Sequence, residues 1–177
     1  MVSVFVASLQ SNDFELFGLT QQFALDRSAL DARWKELQRE AHPDKFAAQG
    51  AAAQRVAMQW SVRINETYQR LKDPVKRAAY LCELGGAPIR AEDNTAMPAA
   101  FLMQQMSWRE ELDDARTSED LEKILAEVNA HLAQTLQLCE QMLDRDHDHV
   151  QASGQVRALM FIQKFIKDID ARFDRLG

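Results

Sequence analysis

The stretch Trp34–Lys45, WKELQREAHPDK, decides the fold because it runs a helix into the tetrapeptide His42-Pro43-Asp44-Lys45. Proline fixes its own φ and disfavours the α conformation of the residue before it, so the helix that reaches Ala41 is predicted to end at His42. The tetrapeptide is therefore predicted to be an exposed docking loop that holds an imidazole and a carboxylate side by side in solvent.

Amphipathic helices are predicted on both sides of this tetrapeptide, because apolar residues recur there at intervals of three or four. The upstream stripe is Leu30, Trp34, Leu37 and Ala41, and the longer downstream stripe is Val56, Trp60, Ile64, Tyr68 and Leu71. Two helices whose stripes face each other form an antiparallel hairpin with the tetrapeptide at its tip.

Two shorter helices are predicted around the hairpin from their end signals. A leading helix begins after Asn12, a candidate N-cap, and ends at Gly18. A fourth helix runs from Pro74 to about Leu84, because Asp73 is a capping residue and proline suits the first helical position. Gly85-Gly86 then ends this segment.

The rest of the chain is predicted to form a three-helix bundle, so the fold class is all-α. The expected helices run from Pro98 to about Ala115, from a cap at Thr117 or Ser118 to about Leu143, and from about Asp148 to Phe173. Residues 1–11 are then an N-terminal tail, 12–85 the first domain, 86–97 a linker and 98–177 the bundle. The stripes of the last two helices are Leu121, Ile124, Leu125, Val128, Leu132, Cys139 and Met142, and Leu159, Ile162, Ile166, Ile169 and Phe173.

The first bundle helix has two apolar faces at about 100° of rotation per residue. Phe101, Trp108, Leu112 and Ala115 share the face predicted to enter the core. A second surface, rotated from it, has the apolar residues Leu102, Met103 and Met106 and continues into the acidic residues Glu110 and Asp114. Phe161 is likewise off the stripe of the last helix. These residues form an interface, are buried between the two domains, or are singly exposed, which is normal for proteins.

Charge and cysteine content exclude several classes of function. Residues 1–85 have 11 basic and 10 acidic side chains, whereas residues 86–177 have 10 and 17. The acidic second half argues against nucleic acid or an anionic membrane as its partner. Cys82 and Cys139 lie far apart without metal-ligand spacing, which indicates neither a zinc site nor a disulfide framework and fits a reducing cytoplasm. The apolar start is a poor signal sequence and is expected to be a frayed tail or a packed strand.

The first domain resembles the J-domain, the module that stimulates the ATPase of DnaK-class chaperones. The segments that match are Asp13–Leu19 (DFELFGL), Trp34–Lys45 and Ile64–Tyr80 (INETYQRLKDPVKRAAY). The resemblance implies that Asp44 pairs with a chaperone arginine and that Asp31, Glu36 and Glu40, which dilute the positive helix face, favour a dedicated chaperone. The implied chaperone-binding residues are His42, Pro43, Asp44, Lys45, Arg33, Lys35 and Arg39.

A J-domain followed by an acidic bundle with Phe101-Leu102-Met103 and Trp108–Asp113 (WREELD) resembles HscB, a family of co-chaperones of iron–sulfur cluster assembly. The resemblance implies that the bundle binds an IscU-like scaffold protein, which the J-domain delivers to an HscA-like chaperone. The implied scaffold-binding residues are Leu102, Met103, Met106, Glu110, Asp114 and Phe161. Met106 replaces a more usual leucine, and Ser107 stands where an acid is common. Eukaryotic relatives add an N-terminal module with paired cysteines, so a bacterial, cytoplasmic protein is implied.

Two other functional hypotheses are open. The bundle of a J-protein could instead serve unrelated client proteins, and His42 or a cysteine could serve an enzyme. No nucleophile or phosphate-binding loop accompanies His42, so we expect no enzymatic activity of the chain's own and no cofactor. Asp144, Asp146, His147, Asp148 and His149 are close in sequence but lack the spacing of a metal site, so we expect a solvated loop and helix N-terminus there, and no metal.

Overall fold

A computed structural model describes residues 9–177, which form seven α-helices and no strand. This confirms the all-α prediction. The helices are α1 (Asp13–Phe17), α2 (Arg27–Glu40), α3 (Ala51–Lys72), α4 (Pro74–Leu84), α5 (Ala99–Asp114), α6 (Ser118–Glu140) and α7 (His149–Leu176). The predicted start of the tail lies outside the described residues. None of the described helices is long and apolar enough to cross a membrane.

The predicted helix ends are confirmed by capping contacts. The Asn12 side chain accepts the Glu15 amide at 2.9 Å, and Gly18 closes α1 with φ 65°, a left-handed conformation that favours glycine. Asp73 accepts the amides of Val75 and Lys76 at the start of α4. Thr117 and Asp120 form a reciprocal capping box at the start of α6.

Compactness divides the chain into two units, the first ending at Arg77 and the second comprising Ala78–Gly177. The division lies inside α4, earlier than the boundary after residue 85 that the glycine pair suggested. The glycines end the helix, whereas packing decides which unit each turn of that helix joins. The predicted domain limits therefore remain a sequence-based assignment.

In the first unit, α2 and α3 pair as the predicted hairpin. The Asn65 side chain of α3 accepts hydrogen bonds from Trp34 Nε1 at 3.0 Å and from Gln38 Nε2 at 2.7 Å. Trp34 also stacks on Tyr68, with 4.6 Å between ring centroids. The hairpin is thus held by polar and aromatic contacts along its edge as well as by its apolar stripes.

One member of the predicted α3 stripe was wrong. Val56 is 47% exposed, whereas its neighbour Ala57 is buried. The buried residues alternate three- and four-residue steps: Ala57, Trp60, Ile64, Thr67 and Leu71. The predicted stripe used consecutive four-residue steps, and each of these is longer than the 3.6 residues of a helical turn. A run of such steps therefore moves around the helix, and its first residue leaves the buried face.

Asp13 is a fully buried carboxylate that joins α1 to α3. Arg63 Nη1 lies 2.7 Å from Asp13 Oδ1, and Arg70 Nη1 lies 2.9 Å from Asp13 Oδ2. The Thr67 hydroxyl also donates to Asp13 at 3.2 Å. Removing one partner of such a buried pair leaves the other charge uncompensated, which typically costs about 3–5 kcal/mol.

The second unit has its core between α5, α6 and α7, as predicted. Trp108, Phe165 and Ile162 are fully buried there, and Trp108 stacks on Phe165 with centroids 5.9 Å apart. The end of α6 differs from the prediction, because the α-helix stops at Glu140 and a π turn follows over Gln141–Arg145. That widened turn buries Leu143.

We expect Asp13→Asn to destabilise the first unit by about 3 kcal/mol or more, because the amide keeps the shape but leaves two arginines without a buried counter-charge. Chemical denaturation followed by circular dichroism measures the free energy of unfolding. Asp44→Asn is the matched control: the Asp44 side chain is 90% exposed, so its change should stay within about 0.5 kcal/mol. Equal effects of the two substitutions would contradict the role given to Asp13.

Candidate binding surfaces

The tetrapeptide His42–Lys45 lies at the tip of the α2–α3 hairpin, and we call it the HPD loop. His42 has φ −63° and ψ 127°, so the helix stops there as predicted. The loop then differs from the prediction, because Pro43–Gln49 forms a 3₁₀ helix that starts on the proline. Proline has no amide to satisfy and its φ suits a first helical turn, so it can end one helix and start the next.

The side chains of the HPD loop are exposed and have a fixed arrangement. His42 Nδ1 accepts the Asp44 amide at 3.2 Å and lies 3.6 Å from Asp44 Oδ2. The imidazole and the carboxylate thus lie side by side in solvent, as expected. Because Nδ1 is an acceptor, the proton of the neutral imidazole is on Nε2, which leaves a donor and a carboxylate at the tip.

The three basic residues predicted on α2 do not have equal freedom. Arg33 is tied to its own unit, because Nη1 lies 2.9 Å from Glu36 and Nε donates to the Phe17 carbonyl at 3.2 Å. Lys35 and Arg39 are exposed and line a shallow depression beside Trp34. The sequence could not show this difference, since the Phe17 carbonyl reaches Arg33 only through the fold.

The second predicted surface lies on α5. Leu102, Met106, Glu110 and Asp114 follow one another at four-residue steps and form one row along the helix, with Met103 beside it. Leu102 is 40%, Met103 75% and Met106 64% exposed, and both acids are exposed as well. We call these five residues the α5 face. The opposite side of α5 is buried through Phe101, Trp108 and Leu112.

Phe161 of α7 is close to this surface but has a larger share in the core than its place off the stripe suggested. Its ring stacks on Phe165 with centroids 6.1 Å apart and meets Phe101 edge-on at 5.7 Å. The Arg109 guanidinium lies over the ring, 5.3 Å from its centroid. Phe161 is half-buried, so it both supports the core and presents part of its ring.

The acidic and histidine-containing segment after α6 has a structural role. Asp148 caps α7 by accepting the Gln151 amide at 3.1 Å, and Asp146 accepts from the Gln141 side chain at 3.2 Å. A carboxylate at a helix N-terminus fits the expectation from the helix dipole. Residues 9–177 contain no group of three or more His, Cys, Asp or Glu side chains placed to hold a metal ion.

Cys82 and Cys139 are free thiols and are fully buried. Burial raises the pKa of the Cys82 thiol to about 11 and that of the Cys139 thiol to about 12. Because the thiolate is the nucleophilic form, neither residue is suited to covalent catalysis.

Comparison with known proteins identifies relatives that span both units. Residues 97–170 match the family model described as the HSCB C-terminal oligomerisation domain. The co-chaperone protein HscB homolog of Burkholderia multivorans is 47% identical over 97% of this chain and 99% of its own length. The homolog of Paraburkholderia xenovorans is 46% identical with the same coverage. The structure of the chaperone HscB from Vibrio cholerae superposes with a TM-score of 0.79 at 35% identity, covering 94% of this chain and all of the other. Human co-chaperone HscB shares the fold, with a TM-score of 0.85 at 23% identity over 94% of this chain and 84% of its own.

Both cysteines should react very slowly with a thiol reagent in the native protein. At pH 8, thiols with pKa values of about 11 and 12 are ionised to only about one part in a thousand and one in ten thousand. Unfolding should restore the ordinary rate, which colour release from a disulfide reagent measures. The raised pKa values also make stability depend on pH, because the unfolded thiols ionise from their ordinary value of 9.0 upward while the folded ones stay protonated. The free energy of unfolding is therefore unaffected by these groups below that value and falls as pH rises toward about 11–12. Rapid native labelling of either residue would contradict this burial.

Proposed function

The chain belongs to the HscB co-chaperone family, and from this we propose that it works in iron–sulfur cluster biogenesis by joining two partners. The first unit stimulates the ATPase of a dedicated HscA-like, DnaK-class chaperone through the HPD loop. The second unit binds an IscU-like scaffold protein through the α5 face and Phe161 and delivers it to that chaperone. The bacterial relatives and the free thiols support the cytoplasm as the site of action.

The observation that supports the chaperone contact best is the exposed pairing of His42 and Asp44 at a rigid tip. A carboxylate that is 90% exposed keeps its hydration until a partner arrives and can then accept a guanidinium fork. Such a charge-assisted bond contributes about 1.5–3 kcal/mol at an interface. The His42 contact to the Asp44 amide orders the loop beforehand, so less entropy is lost on docking.

Lys35 and Arg39 extend the proposed chaperone contact along α2. Their exposure suits them to attract an acidic surface, whereas Arg33 contributes mainly to its own fold. Exposed charges beside a docking contact act chiefly on the association rate. The neighbouring acids Glu36 and Glu40 limit this attraction, which supports the proposal of one dedicated partner and not a broad range.

The α5 face suits a protein partner that is apolar at one end and basic at the other. Leu102, Met103 and Met106 offer exposed apolar area, and the row then continues into Glu110 and Asp114. Methionine is flexible and polarisable, so it adapts to an irregular partner surface, as Met106 must where a leucine is more usual. Ser107 is uncharged, so it adds no charge where an acid is common, and its hydroxyl donates to Glu111 at 3.1 Å.

Asp44→Asn should abolish stimulation of the chaperone ATPase while leaving the free energy of unfolding nearly unchanged. The amide cannot form the same charge-assisted pair with an arginine. A coupled ATPase assay with purified HscA-like chaperone and scaffold measures the effect. Glu66→Gln removes a carboxylate from an exposed position of the same unit and should stimulate normally. Normal stimulation by the Asp44 variant would rule out the docking role of the loop.

Leu102→Ala with Met103→Ala should lower scaffold affinity more than tenfold, equal to about 1.4 kcal/mol, with little loss of stability, since both side chains are exposed. Titration calorimetry with the IscU-like scaffold measures the affinity. Leu138→Ala with Val150→Ala is the matched control, because it trims exposed apolar area elsewhere on the same unit.

Phe161→Ala should lower both scaffold affinity and stability, because this ring also packs on the core.

Chaperone stimulation measured without scaffold should survive in the Leu102 and Met103 variant. If that variant binds scaffold as well as the control, the α5 face is not the scaffold site. Retained binding of unfolded polypeptides in place of scaffold would favour a J-protein with unrelated clients.

A further inference from the structure

A cavity of about 660 Å³ that is open to solvent lies at the surface of the second unit, between the segment of residues 86–98 and the first half of α7. We call it the linker cavity. Its walls contain two arginines, Arg90 and Arg157, together with the amide side chains of Asn94, Gln151 and Gln155, and no acidic residue. A lining with two cations and no acid is unusual here, because acidic side chains outnumber basic ones 17 to 10 over residues 86–177. The linker cavity is therefore a local concentration of positive charge.

Arg157 is the inner cation of this cavity and is only 6% exposed. Its Nε donates to the Ile89 carbonyl at 3.0 Å, and its Nη1 donates to the Ala96 carbonyl at 3.0 Å. These bonds hold the linker segment against α7. Over residues 9–177, however, no carboxylate forms an ion pair with Arg157, so carbonyl dipoles alone offset the charge. A buried charge is normally paired, because desolvation penalises it.

The remaining guanidinium nitrogen of Arg157, Nη2, is not fully buried. Nη2 has no protein hydrogen-bond partner in the described part of the chain, yet none of the buried side-chain nitrogens there is without one. Nη2 must therefore be accessible, and the linker cavity is the space that Arg157 lines. This unpaired nitrogen of a mostly buried cation is the donor that Arg157 offers to a ligand in the cavity.

Arg90 is an exposed residue on the linker side of the cavity and has an uncommon backbone conformation. Its φ of 46° is in the left-handed region, which costs a non-glycine residue roughly 1–2 kcal/mol. The Arg90 carbonyl accepts the amides of Asp93 and Asn94, which fixes the turn. The neighbouring acids Glu92 and Asp93 are exposed and do not line the cavity.

We propose that the linker cavity binds an oxyanion, a carboxylate or a phosphate group, between Arg90 and Arg157. A guanidinium presents paired donors that match both groups, and a partly desolvated site strengthens such bonds. The amide side chains of Gln151 and Gln155 add donors at the same wall. The site is independent of the HPD loop and the α5 face, since it shares no residue with either.

The test is a nuclear magnetic resonance titration of the full, isotopically labelled chain at constant ionic strength. The probes are inorganic phosphate, acetyl-glycylglycine with its free carboxylate, and the same peptide as its C-terminal amide. We expect saturable shifts in residues 86–98 and 150–157 with at least one of the two anionic probes and none with the amide. Saturation by phosphate alone identifies a phosphate ligand, and saturation by the free peptide alone identifies a carboxylate.

Gln155→Glu should weaken anion binding at least tenfold, because it puts a negative charge into the wall with almost no change of shape. Gln163→Glu is the matched control, since it makes the same change at an exposed position of α7 that does not line the cavity. Arg90→Ala removes neither carbonyl that Arg157 contacts, and it should weaken binding as well. Linear, unsaturated shifts with both anions, or equal binding by the Gln155 and Gln163 variants, would overturn the proposal.

Discussion

The buried carboxylate of Asp13 is the contact on which the geometry of the first unit depends. Arg63 and Arg70 reach it from positions two helical turns apart on α3, so it fixes α3 both along its axis and in rotation. With α3 fixed in this way, Asn65 faces Trp34 and Gln38 of α2.

The same register extends to the tip of the hairpin, which holds the HPD loop. Ser61 of α3 donates to the Ala41 carbonyl at 3.2 Å, where α2 ends, and His42 follows immediately. The direction of the HPD loop is thus determined by contacts on the hairpin below it, and Pro43 and the His42 cap then order the loop itself. The proposed docking of a loop that is already ordered requires little rearrangement, which suits a contact based on one carboxylate and one imidazole.

The sequence predicted those features that depend on neighbouring residues in the chain. Helix ends at Asn12, Asp73 and Thr117 follow from local hydrogen bonding, and the two faces of α5 follow from rotation about one axis. Features that depend on a residue arriving from elsewhere were not predicted. Arg33 resembles any surface cation until the Phe17 carbonyl is beside it, and the Asp13 site needs residues 50 or more positions away. The core contacts of Phe161 were missed for the same reason, because Phe101 belongs to another helix.

Phe161 shows how closely the core and the proposed scaffold interface are combined in the second unit. Its ring packs on Phe165 and Phe101 and is covered from outside by Arg109, so one side chain contributes to stability and surface chemistry together. A partner that takes up the exposed part of this ring meets a side chain with few alternative rotamers, because the core already restrains it. The exposed Leu102 and Met103, by contrast, can adjust to the partner. The proposed scaffold site therefore combines a rigid aromatic anchor with adaptable aliphatic contacts, and the acidic end of α5 adds orientation more than affinity.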